Sequence, residues 1–159
     1  YLHGPQRKVY QGVDLSDEAI RIARQIRAQP SSASGNNNNN DMTLAPLESH
    51  QFMQSDAMSF KPPSNVKYGT IVFNEMLYYV DHKKVMNYYT QWLQPNGLIV
   101  ISVWFNPKYK ELRDTIFADA QQMFKSVDHV EMMGTTFTGK KNGQGRMKVG
   151  FHVEAFRPN

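Results

Sequence analysis

The sequence contains no cysteine in its 159 residues. This absence excludes a disulfide framework, a cysteine-ligated zinc site and a thiol nucleophile. The sequence also lacks an apolar run of the roughly 18 residues that a membrane-spanning helix needs, and no charged and then apolar leader opens it. We therefore expect no membrane span, no secretory signal and, by default, a cytoplasmic location.

The excess of positive over negative charge is small as well. The chain has 18 Lys and Arg residues against 14 Asp and Glu residues, and the net charge of +4 is spread over a sequence of mixed signs. This balance argues against a nucleic-acid partner and favours a solvated, slightly basic surface. The five histidines have no metal-ligand spacing, so we predict no metal site. These patterns leave the oligomeric state open.

Segments with strand patterns alternate along the chain with segments that have helix patterns. Short β-favouring runs are separated by stretches whose apolar residues recur at helical spacing. Such alternation predicts an α/β fold: a doubly wound, mostly parallel sheet with helices on both faces. The last two strand patterns are joined by a glycine-rich turn and predict an antiparallel C-terminal hairpin. The predicted strands lie at residues 9–13, 50–54, 69–73, 98–104, 130–138 and 148–156, and the predicted helices follow Ser16, span 83–93 and follow Pro107.

Two of these strand predictions also concern burial. The run at residues 69–73 is continuously apolar, which is typical of a strand buried on both faces. In the last strand Val149, Phe151, Val153 and Ala155 alternate with other residues. Because successive side chains of a strand point to opposite faces, these four residues are expected to form its apolar face.

The length of the chain corresponds to one domain, and we interpret residues 1–159 as a single partial domain. Residues 31–41 read SSASGNNNNND, a polar run of low complexity. Such a segment has too little apolar surface to offset the entropy of ordering it. We therefore predict a disordered insertion at about residues 30–48 within that domain.

Polar side chains follow three of the predicted strands at the point where each strand ends. Asp14 follows the first, Asp56 follows the second, and Asn74 with Glu75 follows the third. In open parallel sheets, ligands bind at the carboxyl ends of the strands. An acid at such an end is suited to accept hydrogen bonds from both hydroxyls of a ribose. An acid at the end of the next strand is suited to accept one from the exocyclic amine of an adenine. Each charge-assisted bond of this kind is worth roughly 1.5–3 kcal/mol.

Four segments, in their order along the chain, resemble the class I S-adenosylmethionine-dependent methyltransferases, whose fold is Rossmann-like. They are GVDLS at residues 12–16, SDA at 55–57, IVFNEMLYY at 71–79 and the LQPNGL turn at 93–98. The predicted C-terminal hairpin fits the antiparallel last strand of that family, and the resemblance covers nearly the whole chain outside the insertion. It implies an enzyme that uses S-adenosylmethionine to methylate an acceptor, which we expect to be a small molecule.

The resemblance also implies roles for the residues at the first three strand ends. Asp14 is expected to bind the ribose hydroxyls, with Leu15 against the adenine. Asp56 is expected to bond the adenine amine, and Ala57 to supply a backbone contact. Asn74 is expected to offer its backbone carbonyl near the methionine part of the cofactor.

The acceptor pocket is expected to be bordered by the residues that follow the third strand. Aromatic faces attract a sulfonium cation by roughly 0.5–2 kcal/mol, which favours Tyr78 and Tyr79 as pocket residues. Trp104, at the end of its strand, is expected to form a pocket wall. Glu75 and His82 are the nearby candidates for a general base that takes a proton from the acceptor.

In one respect the sequence departs from the family pattern. The family's first strand and its glycine-rich loop, which holds the methionine part of the cofactor, should precede Tyr1. We therefore interpret the chain as truncated before that loop and expect this segment alone to bind the cofactor weakly. In the family's strand order the absent strand lies between those ending at Asp14 and Phe73, so these two strands are expected either to have unpaired edges or to pair directly with each other.

Two other functions remain open from the sequence. A nicotinamide-dependent dehydrogenase of Rossmann fold would also have an acid at the position of Asp14. A non-catalytic, methyltransferase-like binding module is the second alternative, because the cofactor loop is not in the sequence.

Overall fold

A computed structural model of the protein describes residues 9–28, 49–105, 107–137 and 146–159. The predicted disordered insertion and the predicted turn of the C-terminal hairpin lie outside these residues. The chain divides into two compact units, Tyr1–Lys61 and Pro62–Asn159.

The first unit is a strand–helix–strand arrangement. Strand β1 (Val9–Asp14) and strand β2 (Ser49–Gln54) pair in parallel, and helix α1 (Asp17–Ala28) connects them in sequence. The Ser16 hydroxyl accepts a hydrogen bond from the backbone N–H of Ala19 at 3.2 Å, which confirms the predicted helix cap. Ile20 is buried, with 5 % of its surface exposed, so α1 packs on the strands through its apolar side.

The second unit is a four-stranded sheet with two helices. A short 3-10 helix (Leu77–Tyr79) follows the first strand of this unit, and another (Pro107–Tyr109) precedes the last helix. The remaining elements are β3 (Tyr68–Asn74), α2 (His82–Thr90), β4 (Leu93–Trp104), α3 (Lys110–Met123), β5 (Phe124–Phe137) and β6 (Arg146–Pro158).

The α/β class and the C-terminal antiparallel hairpin are confirmed, but the prediction of one mostly parallel sheet is wrong. The described strands form two sheets, β1-β2 and β3-β4-β6-β5. The pairs β1-β2 and β3-β4 are parallel, whereas β4-β6 and β5-β6 are antiparallel. Because β6 lies between β4 and β5, the hairpin contributes two antiparallel pairings to the larger sheet. Among the described residues, β1 and β3 each have a single strand neighbour.

The larger sheet is covered by its two helices on one face only, so the prediction that residues 69–73 are buried on both faces is wrong. Ile71 and Phe73 are buried, whereas Val72 between them is 56 % exposed. The buried strand residues form one core with residues of both α2 and α3, which therefore lie on the same side of this sheet. That core contains Ile71, Phe73, Leu77, Val85, Met86, Leu93, Ile99, Ile101, Val103, Ile116, Phe117, Ala120, Phe124 and Phe156.

The buried face of β6 is opposite to the face that its sequence pattern predicted to be apolar and buried. Phe156 and Glu154 lie on the buried face, whereas the predicted apolar set at positions 149, 151, 153 and 155 is only half-buried. The Glu154 carboxylate accepts a hydrogen bond from the Gln121 side chain of α3 at 3.2 Å, and the rings of His152 and Phe117 lie 4.1 Å apart. Strand alternation predicts two faces, but the position of α3 determines which one is buried.

Helix α2 begins one residue before its predicted start and ends three residues before its predicted end. Asp81 caps its start by accepting a hydrogen bond from the backbone N–H of Lys84 at 3.2 Å. Leu93 is not its last residue but the first of β4, where it pairs with Tyr68. The turn predicted at residues 95–97 lies inside β4, at an irregularity in its pairing with β3. None of the described helices is long and apolar enough to cross a membrane.

One-sided burial of β3 leads to a stability prediction. Ile71→Ala removes a buried side chain from the core and is expected to lower the free energy of unfolding by about 2–5 kcal/mol. Val72→Ala, one residue along and on the exposed face, is expected to cost less than about 1 kcal/mol. Urea denaturation of both variants measures the difference. Equal losses would show that both faces of the strand are buried.

Candidate functional site

The carboxyl ends of β1 and β2 bring Asp14 and Asp56 to one edge of the small sheet. Asp14 pairs with Gln54 in the parallel register, and its backbone carbonyl accepts a hydrogen bond from the N–H of Ser55 at 2.9 Å. Asp56 is the next residue. The two acids predicted from the ends of successive strands are therefore neighbours in the first unit, which is the arrangement that a shared ligand requires.

Each of these carboxylates is oriented by backbone amides through one oxygen. Asp14 Oδ1 accepts from the N–H of Ser16 at 2.7 Å. Asp56 Oδ1 accepts from the N–H groups of Met58 and Ser59 at 2.8 and 3.2 Å. Among the described residues neither Oδ2 atom has a hydrogen-bond partner, and both side chains are exposed. The pair thus presents two carboxylate oxygens that are able to accept hydrogen bonds from hydroxyl or amine groups.

Apolar side chains accompany these acids. Leu15 is 70 % exposed directly after Asp14, and Met58 is 43 % exposed in the turn after Asp56. Sequence reasoning missed Met58, although an apolar residue among the polar residues of a turn was an available signal. Ala57 is half-buried in the same turn.

A shallow hollow of about 160 Å³ lies between α1 and the strands of the first unit, with Asp14 among its lining residues. Sites that enclose small molecules usually measure about 300–1,000 Å³. This hollow is therefore too small to enclose a nucleoside, and a nucleoside at Asp14 would extend beyond it. Its other lining residues are Tyr10, Gly12, Val13, Ala19, Ile20, Ala23 and Phe52.

In the second unit, the carboxyl ends of β3 and β4 meet around Glu75. Asn74, which is exposed, pairs with Ser102 in the parallel register, and the N–H of Glu75 donates to the Ser102 carbonyl at 3.0 Å. The backbone φ of Glu75 is 55°, in the left-handed region that residues other than glycine rarely adopt. The chain thus turns sharply at the end of β3.

This turn places the Glu75 carboxylate among three donors of the protein. Oε1 accepts from the Ser102 hydroxyl at 3.2 Å. Oε2 accepts from the backbone N–H of Trp104 at 3.1 Å and from the Tyr78 hydroxyl at 3.0 Å. We call Glu75, Tyr78, Ser102 and Trp104 the Glu75 cluster. Sequence reasoning missed Ser102, although a hydroxyl within the apolar run of β4 was a signal for a polar partner.

The two tyrosines after β3 differ in exposure. Tyr78 is half-buried, whereas Tyr79 is 79 % exposed, and the ring centroids lie 4.3 Å apart. Burial raises the pKa of the Tyr78 phenol, and its hydrogen bond to Glu75, the negative charge of that carboxylate and the neighbouring Tyr79 raise this pKa further. Tyr78 is therefore a neutral phenol at physiological pH.

His82, predicted as a possible base, links the two helices of the second unit. Its Nε2 lies 2.8 Å from an oxygen of Asp119 on α3, and the Lys83 ammonium lies 2.9 Å from the other oxygen of Asp119. The hydrogen bonds from His82 and then Lys83 hold the pKa of Asp119 below its ordinary value. Among the described residues no hydrogen bond joins His82 to the Glu75 cluster, and no group of side chains is suited to hold a metal ion.

A protein-family model described as a methyltransferase domain matches residues 1–138 of the chain. No curated protein is similar enough to count as a match.

Several solved structures share the fold. The N-methyltransferase NodS from Bradyrhizobium japonicum WM9 superposes with a TM-score of 0.59 at 14 % identity, over 93 % of this chain and 72 % of that one. A SAM-dependent methyltransferase from Methanosarcina mazei gives 0.56 at 12 % identity, over 96 % and 84 %. The plantazolicin methyltransferase BpumL, solved with a pentazolic desmethylPZN analog and SAH, gives 0.52 at 13 % identity, over 94 % and 67 %.

The lowered pKa of Asp119 leads to a prediction about acid stability. A carboxylate with a lowered folded-state pKa stabilises the fold above its unfolded pKa of about 3.9, and this contribution is lost as the pH falls through the lowered value. Asp119→Asn is therefore expected to melt at a lower temperature than the wild type at neutral pH, with the gap closing below about pH 4. Thermal melts across this range measure the gap.

Glu111→Gln provides the control on the same helix. Glu111 is exposed in the first turn of α3, and its carboxylate forms no ion pair with another described residue, so it is expected to contribute little to stability. Its melting temperature is expected to stay near that of the wild type. A gap for Asp119→Asn that persists unchanged in acid would contradict the prediction.

Proposed function

The chain belongs to the methyltransferase domain family, whose model matches residues 1–138, and we propose that it transfers a methyl group from S-adenosylmethionine to a small-molecule acceptor. Family membership identifies the chain as an S-adenosylmethionine-dependent methyltransferase domain. The nature of the acceptor and the roles of individual residues are our proposal.

The observation that supports the cofactor site best is the pair of acids in the first unit. Asp14 is proposed to bind the ribose hydroxyls and Asp56 the adenine amine, each through the Oδ2 atom that has no partner among the described residues. Leu15 is proposed to lie against the adenine, where its exposed apolar surface would be covered. Ala57 is proposed to supply a backbone contact. Carboxylate oxygens of this kind accept hydrogen bonds, which suits the hydroxyl and amine donors of a nucleoside.

Residues of the second unit have proposed roles of their own. Asn74 is proposed to offer its backbone carbonyl to the methionine part of the cofactor. Tyr78, Tyr79 and Trp104 are proposed to border the acceptor, because they belong to or adjoin the Glu75 cluster at the carboxyl ends of β3 and β4.

Bound S-adenosylmethionine supplies a methyl group already activated by its positive sulfur. The protein therefore has to align the acceptor, exclude water and accommodate a proton, and alignment alone is worth several kcal/mol. A site of this kind needs no strongly perturbed catalytic group. Between the two predicted bases, Glu75 lies with the residues proposed to border the acceptor, whereas the contact of His82 with Asp119 supports a structural role.

A substitution at Asp14 tests the cofactor site. Asp14→Asn retains an Oδ1 atom for the N–H of Ser16. It replaces Oδ2 by an NH2 group, which cannot accept a hydrogen bond from a ribose hydroxyl. In the full-length protein we expect the affinity for S-adenosylhomocysteine to fall about tenfold or more, because a charge-assisted hydrogen bond is lost. Isothermal titration calorimetry measures the affinity.

Asp17→Asn is the matched control, since Asp17 is also an exposed acid that accepts from a backbone N–H, at 2.8 Å, in the first turn of α1. Its affinity is expected to equal that of the wild type. Unchanged affinity in Asp14→Asn would remove Asp14 from the site. Binding of NADH in place of S-adenosylhomocysteine would favour a dehydrogenase, and binding of neither would favour a non-catalytic module.

A further inference from the structure

We propose that Tyr78, oriented by Glu75 and flanked by the Tyr79 ring, selects an acceptor that carries an N–H or O–H donor, an amine above all, and disfavours an anionic acceptor. This inference rests on the proposed function, because it assumes that these residues border the acceptor. It assigns Glu75 as a positioning residue.

The hydrogen-bond directions in the Glu75 cluster determine what the Tyr78 hydroxyl offers to a ligand. A carboxylate only accepts hydrogen bonds, so Tyr78 must give its single proton to Glu75 across the 3.0 Å contact. Toward a ligand the Tyr78 oxygen then presents lone pairs. The Tyr79 ring lies beside it, with the two ring centroids 4.3 Å apart, and 79 % of Tyr79 is exposed.

Several contacts fix the position of the Glu75 carboxylate. It is held by the Ser102 hydroxyl and by the Trp104 backbone N–H in addition to Tyr78. The left-handed backbone of Glu75 is costly for a residue with a side chain and persists only where the surroundings enforce it. Because both carboxylate oxygens already accept from the protein, Glu75 is poorly placed to take a proton from the acceptor and well placed to fix Tyr78.

The charge beside these tyrosines is negative. Among the described residues no Lys or Arg side chain forms an ion pair or hydrogen bond with Glu75, Tyr78 or Tyr79, and the negative charge of Glu75 acts on the Tyr78 phenol. A carboxylate or phosphate acceptor would meet lone pairs and a negative charge with no compensating cation. An amine finds hydrogen-bond acceptors, a nearby negative charge and two aromatic rings, all of which favour a cationic or N–H-bearing group.

Three probes of similar size test this selectivity. Benzylamine, benzyl alcohol and benzoate are titrated by NMR into the full-length protein saturated with S-adenosylhomocysteine. We expect benzylamine to bind best, with an affinity at least about tenfold above that of benzoate, and benzyl alcohol to lie between them. Benzoate binding equal to or tighter than that of benzylamine, or no benzylamine binding at its solubility limit, would overturn the inference.

Tyrosine-to-phenylalanine variants test the hydroxyl group separately from the packing of the ring, because they remove only the hydroxyl. Tyr78→Phe is expected to weaken benzylamine binding about three- to tenfold and to leave benzoate and S-adenosylhomocysteine binding unchanged. Tyr68→Phe is the matched control, because Tyr68 lies at the opposite end of β3. Its probe affinities are expected to equal those of the wild type. Equal amine affinity in Tyr78→Phe and the wild type would overturn the role of Tyr78.

Glu75 is tested with a conservative and a truncating variant. Glu75→Gln retains one side-chain oxygen able to accept from Tyr78 and is expected to lose less amine affinity than Glu75→Ala. Equal losses in the two variants would contradict a positioning role. Failure of the wild-type protein to bind S-adenosylhomocysteine would overturn the proposed function, and this inference with it. Binding of S-adenosylhomocysteine without amine preference would overturn this inference alone.

Discussion

Parallel strand pairing is the constraint on which the candidate site depends. In each unit, a backbone hydrogen bond joins the residues at the carboxyl ends of two parallel strands: from Ser55 to Asp14 in the first unit and from Glu75 to Ser102 in the second. Without these pairings the acids would be isolated loop residues far apart in sequence. With them, Asp14 and Asp56 become neighbours, and Glu75 reaches the end of β4.

The two ends present their carboxylates in different ways. In the first unit each acid uses one oxygen on backbone amides and leaves the other without a partner among the described residues. In the second unit both oxygens of Glu75 accept from the protein. An acid of the first kind is suited to bind a ligand directly, whereas one of the second kind acts by holding its neighbours. The proposed roles of Asp14 and Glu75 follow from this difference.

Buried polar groups also hold the second unit together. Asp119 accepts from His82 and Lys83 between α2 and α3, and Glu154 accepts from Gln121 between β6 and α3. Helix α3 thus contributes a partner to each contact as well as the apolar residues of the core. Polar contacts of this kind restrict the position of a helix more than apolar packing does, because a shift of the helix would leave a buried carboxylate unpaired, which is costly.

The alternation of strands and helices, the cap at Ser16 and the acids at the strand ends were readable from the sequence, because each depends on residues close together along the chain. The pairing of the sheets, the buried face of β6, the surface position of Val72 and the partners of Glu75 and His82 were not. Each depends on residues distant in sequence, such as Ser102 for Glu75 and Asp119 for His82. A local pattern defines the two faces of a strand or the presence of an acid. Which face is covered, and which donor the acid meets, is settled by the packing of elements against one another.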